Sequence, residues 1–310
     1  MELFRIKNDI PFMRHAPVWV AVSALIFLAA VAGLVARGLN LSIDFTGGTV
    51  IEVGYPEPVA TQAIRDVLTA SGYGDATVQT FGTPREALIR FPVKAGVTSA
   101  QLSETILGIL QRHDPKVEMR RVEFVGPQVG SELFNDGALA LMLVSALIMV
   151  YLAFRFEWRF SVGAIVATIH DVVIVLGLFA WFQWEFSLTV LAAVLAILGY
   201  SVNDTVVVFD RIRENFRRLR RSDITEIIDN AITRTLARTF MTAITTQLMV
   251  LAMLLFGGEV LYGFALALTI GIVVGTYSSV LVASPVIMWL GISREDMLPP
   301  KTEGAADNRP

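Results

Sequence analysis

Six runs of about 20 apolar residues constrain this chain more than any other feature. An α-helix rises 1.5 Å per residue, so such a run matches the roughly 30 Å hydrocarbon core of a bilayer. The runs lie at 17–36, 135–154, 161–182, 187–209, 239–256 and 261–290. With 54% hydrophobic and 17% charged residues among 310, the chain is too apolar for a soluble globule and reads as an α-helical polytopic membrane protein. A net charge of −3 leaves no basic footprint for nucleic acid. The lack of cysteine excludes a disulfide framework, thiolate metal sites and thiol nucleophiles. His15, His113 and His170 are too scattered for a metal site at short spacing, so neither metal nor cofactor is expected.

The first run follows Arg5, Lys7, Arg14 and His15, as the core of a signal peptide would. It is longer than such a core, and the GLVARGLN after it is a poor cleavage site, so it reads as an anchor that stays. The last run carries Gly263, Gly271, Gly275 and Pro285, which predict a kinked span or a span plus a short interfacial turn. Arginine and lysine in the short loops set orientation. They cluster in 155–160 (Arg155, Arg159), in 210–238 (Arg211, Arg213, Arg217, Arg218, Arg220, Arg221, Arg234, Arg238) and in the tail (Arg294, Lys301, Arg309), and are absent from 183–186 and 257–260. Six spans with both termini in the cytoplasm satisfy this pattern. The expected divisions are a cytoplasmic N-terminus over 1–16, a span over 17–36, an external segment over 37–134, five spans over 135–290 that include a cytoplasmic loop over 210–238, and a polar, disordered cytoplasmic tail over 291–310.

The external segment reads as a small domain. TVIEV (49–53), ATVQTF (76–81), EALIRF (86–91) and KVEMRRVEFVG (116–126) have strand character, with a turn at Gly82-Thr83-Pro84. PVATQAIRDVLTASG (58–72) and TSAQLSETILGILQRH (98–113) have helical spacing, the second with Thr98 as N-cap. The order βαββαβ is that of a ferredoxin-like unit, a fold that names no function. Gly47-Gly48 lets the chain leave the membrane and turn sharply into the first strand.

Few ionisable residues fall within or at the edge of the spans. A carboxylate inside a bilayer is costly unless compensated, so Asp204 is a functional-site hypothesis in search of a partner. It lies in the polar stretch Gly199-Tyr200-Ser201-Val202-Asn203-Asp204 of an otherwise Leu/Val/Ala helix. Arg238 opens the fifth span, with Thr242, Thr245 and Thr246 continuing a polar stripe. A carboxylate that alternately approaches and leaves an arginine can shed and regain a proton, as a relay requires. The plainer alternatives are an Asp204 that hydrogen-bonds across helices and an Arg238 that snorkels to the interface. His170 and Asp171 are adjacent, so on a helix they point about 100° apart and are not expected to share a site. The run Arg217, Arg218, Arg220 and Arg221 reads as a solvated loop facing membrane lipid.

Several longer motifs carry a resemblance. They are IDFTGGT (43–49), VGPQVGSEL (125–133), GYSVNDTVVVFDRIRENFR (199–217) and FGGEVLYGFALALTIGIVVGTYSS (256–279). Through them, and over nearly its whole length, the chain resembles the SecF family, the smaller membrane subunit of the bacterial SecDF protein-export complex. The layout is also similar to half of an RND-type transporter. The resemblance implies a partner SecD, a SecYEG channel, YajC as accessory and translocating preproteins. It also implies a bacterial inner membrane, with residues 37–134 periplasmic and protons as the coupling ion. In that family an Asp of the fourth span and an Arg of the fifth lie along the proton path, which places Asp204 and Arg238 there. Asn203, Thr242, Thr245, His170 and Asp171 are candidate accessory polar residues, and Asp44, Gly47 and Gly48 belong to the structural motif.

Other readings compete. An RND-like exporter of small molecules or lipids is weakened by the small external insert. An intramembrane aspartyl protease using Asp171 and Asp204 lacks a GxGD motif, and a nearby arginine would hinder proton sharing, so no enzymatic activity is expected. A structural scaffold for the channel is the fourth.

Overall fold

The computed structural model describes residues 8–93, 96–219 and 222–293. Among these, six helical stretches are long and apolar enough to cross a membrane: Met13–Arg37, Pro127–Arg155, Trp158–Phe182, Leu188–Arg218, Ile224–Phe256 and Val260–Trp289. The chain is a multi-pass membrane protein.

The first span is α1 (Ala16–Arg37), with Pro17 in its first turn, where a missing N–H costs nothing. It stops at Gly38, whose φ of 65° only glycine adopts easily. Two short elements follow, β1 (Asn40–Leu41) and α2 (Ile43–Thr46). Then come β2 (Gly48–Gly54), α3 (Thr61–Ala70), β3 (Thr77–Phe81), β4 (Thr83–Phe91), α4 (Ser99–His113) and β5 (Glu118–Val125), in the βαββαβ order. The four strands form one antiparallel sheet in the order β3-β4-β2-β5. Period-2 alternation puts Ile51, Val53, Ile89 and Phe91 on the face covered by Ile64 and Leu68 of α3 and Leu102 and Ile106 of α4, and all are buried. Each large apolar side chain buried this way contributes about 1.5–3 kcal/mol. Thr98 and Gln101 close a reciprocal capping box at the start of α4.

The remaining elements are α5 (Pro127–Arg155), α6 (Trp158–Phe182), β6 (Glu185–Phe186), α7 (Leu188–Arg218), α8 (Ile224–Phe256), α9 (Gly258–Ser278), a π-helical turn (Ser279–Ala283) and α10 (Ser284–Trp289). Helices α6, α7 and the last span form the centre of the bundle, while α1, α5 and α8 leave most of their apolar surface uncovered. α1 and α6 approach closely at Gly177, where a Cβ would lie 2.5 Å from the Ala30 Cα. The kink expected in the last span takes the form of the π turn just before Pro285. Ser284 Oγ donates to the Ser279 carbonyl at 3.2 Å, occupying an acceptor that the irregular turn could leave unpaired.

Two expected boundaries move. The second span begins at Pro127 rather than 135, because α5 starts directly where β5 ends. The loop expected over 210–238 is mostly helix: α7 runs to Arg218 and α8 starts at Ile224. Glu214, Arg217, Arg218 and Arg234 lie on the outer face of two amphipathic helical extensions whose inner faces bury Ile212, Phe216, Ile227, Ile228 and the charged Asp229. Asn215 Nδ2 donates to the Ile227 carbonyl at 3.3 Å and Asn230 Oδ1 at 3.0 Å, locking the two extensions together. The tail expected to be disordered lies, from 294 on, outside the described residues, as do Arg220 and Arg221.

The βαββαβ unit is tied to the bundle at one end. β1 pairs in parallel with β6, Asn40 opposite Glu185 and Leu41 opposite Phe186. Arg90 of β4 reaches this pairing: Nη1 donates to the Leu41 carbonyl at 3.2 Å. Its Nη2 sits 2.7 Å from Glu185 Oε1, an ion pair lacking the alignment of a hydrogen bond. Burial, more than any neighbour, pushes the Glu185 carboxyl up from the ordinary glutamate range; Arg90 opposes this, and Asp44 and Glu123 add to it.

Candidate functional site

Helix α7 is fixed at its start by two side chains. Ser187 accepts from the Val190 N–H at 3.4 Å, and Asp44 Oδ2 accepts from the Leu188 N–H at 3.0 Å. A carboxylate there satisfies an orphan donor and complements the positive end of the helix. Asp44 is itself held in α2, where Ser42 Oγ accepts its N–H at 3.1 Å. The glycines that follow sit where side chains cannot. Gly47 has φ 68° and a Cβ on it would lie 2.9 Å from the Pro127 Cα, while Gly48 has φ 133° and faces the Phe91 carbonyl. Gly130 of α5 closes the crossing, its Cβ position 2.8 Å from the Gly47 nitrogen.

Further along α7, Ser201, Asp204, Thr205 and Val208 share a buried face, as i, i+3, i+4 and i+7 spacing dictates. Asp204 is 3% exposed, and its Oδ2 is buried with no hydrogen-bond partner among the described residues. Tyr200, one turn earlier, lies beside Thr246 and Thr276. Its hydroxyl is buried without a hydrogen bond of good geometry. Asn203 points away, into the uncovered surface.

The arginine is differently placed from the sequence expectation. Arg238 lies well inside α8 rather than at the start of a helix, because α8 begins at Ile224. Its charge is close enough to act on Asp204. Yet no ion pair within 4.0 Å joins them among the described residues. Arg238, Thr242 and Thr245 are exposed, on a face of α8 that this chain does not cover. The threonine hydroxyls bond back to their own helix, Thr242 to the Arg238 carbonyl at 3.1 Å and Thr245 to the Met241 carbonyl at 2.9 Å. Asp204 thus sits under cover while its candidate partners line an open polar stripe.

His170 and Asp171 do share a site, against expectation. The imidazole turns toward its neighbour, and Nδ1 lies 3.0 Å from Asp171 Oδ1. Asp171 is fully buried, and its Oδ2 accepts from Ser201 at 2.5 Å and from Ser278 at 2.8 Å. The Tyr277 hydroxyl is 3.2 Å from His170 Nε2 and lies against Ser23 of α1. Phe27 stacks on the imidazole, the rings 8° from parallel. Sequence reasoning missed Ser23, Tyr277 and Ser278. The signal was present in the last span, where Thr276-Tyr277-Ser278-Ser279 interrupts an apolar run.

Residues 105–293 match the family described as protein export membrane protein SecD/SecF, C-terminal, and residues 32–58 match the SecD/SecF GG motif. The chain is 45% identical over 303 residues to the protein translocase subunit SecF of Vibrio alginolyticus, covering 97% of this chain and 96% of that one. It belongs to the SecF family. The SecF subunit of Escherichia coli O157:H7 is 42% identical over 301 residues, covering 96% of this chain and 93% of that one. A crystal structure of SecDF, a translocon-associated membrane protein from Thermus thermophilus, superposes with a TM-score of 0.84 at 38% identity. It covers 93% of this chain, which spans 39% of that longer one. The GG-motif match contains Asp44, Gly47 and Gly48, and the C-terminal match contains Asp171, Asp204 and Arg238.

Proposed function

We propose that this chain is the SecF subunit of a SecDF-type assembly that uses inward proton flow to promote preprotein translocation and release through a SecYEG channel after the ATP-driven step. The observation that carries the proposal is Asp204: a carboxylate inside the membrane with a buried oxygen that has no donor among the described residues. An ionised carboxylate so placed needs a proton or a cation to offset its cost. Arg238 is the nearby cation, and it lies on a face left open for another subunit. SecD is the partner for that face; the longer SecDF relative supports this, since this chain matches only part of it. YajC is an accessory.

The assembly sits in a bacterial inner membrane with both termini of this chain cytoplasmic. The βαββαβ unit, whose strand order supports a ferredoxin-like assignment, faces the periplasm. Moving one charge across 100 mV supplies about 2.3 kcal/mol, enough to bias a conformational equilibrium about fiftyfold if protonation differs between its two states. The proton is the coupling ion, no cofactor is invoked, and no bond-breaking chemistry is assigned.

The test is Asp204→Asn in proteoliposomes containing the SecD partner and the channel. Loss of proton conductance and of gradient-dependent preprotein release is expected, while unchanged gradient-driven release would refute the relay. Proton-coupled efflux of small molecules or lipids, with preprotein release unaffected by Asp204→Asn, would instead favour an RND-like exporter.

A further inference from the structure

Asp204 and Asp171 are both buried carboxylates of the membrane bundle, yet their surroundings are opposite. Among the described residues Asp204 has an oxygen with no donor, whereas both Asp171 oxygens are occupied, by His170, Ser201 and Ser278. The donors come from three helices: α6, α7 and α9. If the site only held helices together, hydroxyls and amides would suffice. A histidine adds the side chain that changes charge nearest neutrality, and here both its ring nitrogens are engaged.

We propose that His170 and Asp171 form a second proton-binding site in this chain, distinct from Asp204, whose state is relayed through Tyr277 to Ser23 on α1. The proposal rests on the proton-driven reading above for its use, but not for its existence. The proton balance is simple. In the unloaded state His170 is neutral: its Nδ1–H donates to Asp171, and its Nε2 accepts from the Tyr277 hydroxyl. The pair then carries one negative charge. An incoming proton binds Nε2, giving an imidazolium beside the carboxylate, and the pair becomes neutral. Nε2–H must now donate to the Tyr277 oxygen, so the Tyr277 hydroxyl turns and donates elsewhere. Ser23 is the hydroxyl lying against it.

Loading therefore reverses the donor–acceptor sense of a chain that runs from α6 to α1. α1 leads directly into β1, α2 and Gly47-Gly48, the segment that carries the βαββαβ unit. Tyr277 also lines an apolar groove of about 470 Å³ between α8 and α9, beside Thr239 and Thr276. That groove gives Tyr277, the middle of the hydroxyl chain, a face toward α8.

Tyr277 on α9 is the ionisable group in contact with the pair; the helices around it also carry, in their membrane-spanning parts, Tyr200 and Asp204 on α7 and Arg238 on α8. On α5 the ionisable groups include Tyr151 and Arg155, the latter bound to Asp210. α1 presents Ser23 and Phe27.

The experiment uses the SecD-containing complex in lipid, with His15→Gln and His113→Gln so that His170 is the only histidine of this chain, and 15N-histidine incorporated in this chain alone. Solid-state NMR then reads the charge and hydrogen bonding of both His170 nitrogens between pH 5 and 9. The expected result is a switch between neutral and doubly protonated imidazole. Ser278→Ala, which keeps both ionisable groups but removes a hydrogen bond to Asp171, should change the hydrogen-bonding signature of His170 Nδ1 in the same spectra. His170→Gln should lower proton conductance at least tenfold with assembly intact. One unchanging state of His170 across the range, or full conductance in His170→Gln, overturns the proposal. In Asp204→Asn the NMR switch should persist although conductance is lost. Should wild type show the switch without gradient-driven release, the proton-driven reading fails and the second site stands.

Discussion

Arg90 is the residue whose loss should most clearly expose how the βαββαβ unit is held. Its side chain is 12% exposed, and its guanidinium faces a Glu185 side chain that is 34% exposed. It also donates to the Leu41 carbonyl of β1. Arg90→Met removes both contacts and keeps the bulk. Removing one member of a fully buried ion pair costs about 3–5 kcal/mol, because the other charge is left behind. Solvent reaches about a third of Glu185, so the expected cost is lower, about 1–2 kcal/mol. The cost depends on pH with a definite sign. Burial raises the Glu185 carboxyl in the folded state, so that state holds the proton more tightly than an open one. Its stabilisation by the proton is fully present at low pH and fades as pH rises through the Glu185 titration. Without Arg90 to oppose burial, that titration moves higher still, and the variant suffers most where Glu185 must be ionised. The assay is hydrogen exchange at the Ser42 amide, which donates to the Phe186 carbonyl at 3.0 Å across the β1–β6 pairing. After correction for intrinsic rates, Arg90→Met should accelerate exchange about 5–30-fold at pH 8, the equivalent of 1–2 kcal/mol. The acceleration should shrink toward pH 5. Equal acceleration at both pH values, or none, would refute the reasoning.

Two further outcomes follow from other contacts. Asp44→Ala leaves the Leu188 N–H without its acceptor and should cost about 0.5–2 kcal/mol, read as faster exchange confined to the first turn of α7. Gly177→Ala places a methyl against the Ala30 backbone and should destabilise the α1–α6 contact by about 1–3 kcal/mol, read as a lower melting temperature in detergent; an unchanged melt would mean that the helices separate freely.

The spans were legible because a bilayer imposes length and apolarity together, and both can be counted. The βαββαβ elements were legible from alternation and from Thr98, whose capping box marks a helix start chemically. What escaped was of a different kind. The stretch around Arg217 and Arg218 reads as a loop because its charges crowd the eye, while Ile212, Phe216, Ile227 and Ile228 keep helical spacing beneath them. β1 and β6 are two residues each and have no local signature; only the fold puts them side by side. Asp204 and Arg238 could be selected as expensive residues, but not their relation, since one is covered and the other lies on an open face. The His170–Asp171 bond depends on a side-chain rotation that helical geometry alone makes improbable.

The crossing at Gly47 and Gly48 has a mechanical consequence. Three pieces of chain meet there without room for a methyl group: the entry to β2, the start of α5 at Pro127 and Gly130, and the end of β4 at Phe91. Asp44, three residues upstream, grips the start of α7. A joint machined this tightly has no backlash. It cannot absorb a rotation of the sheet the way a slack glycine linker would. Any torque on β2 passes at once to α5 and, through Asp44, to the helix that carries Asp204. The same rigidity works in reverse, so a small axial shift of α7 is felt at the base of the sheet without lost motion.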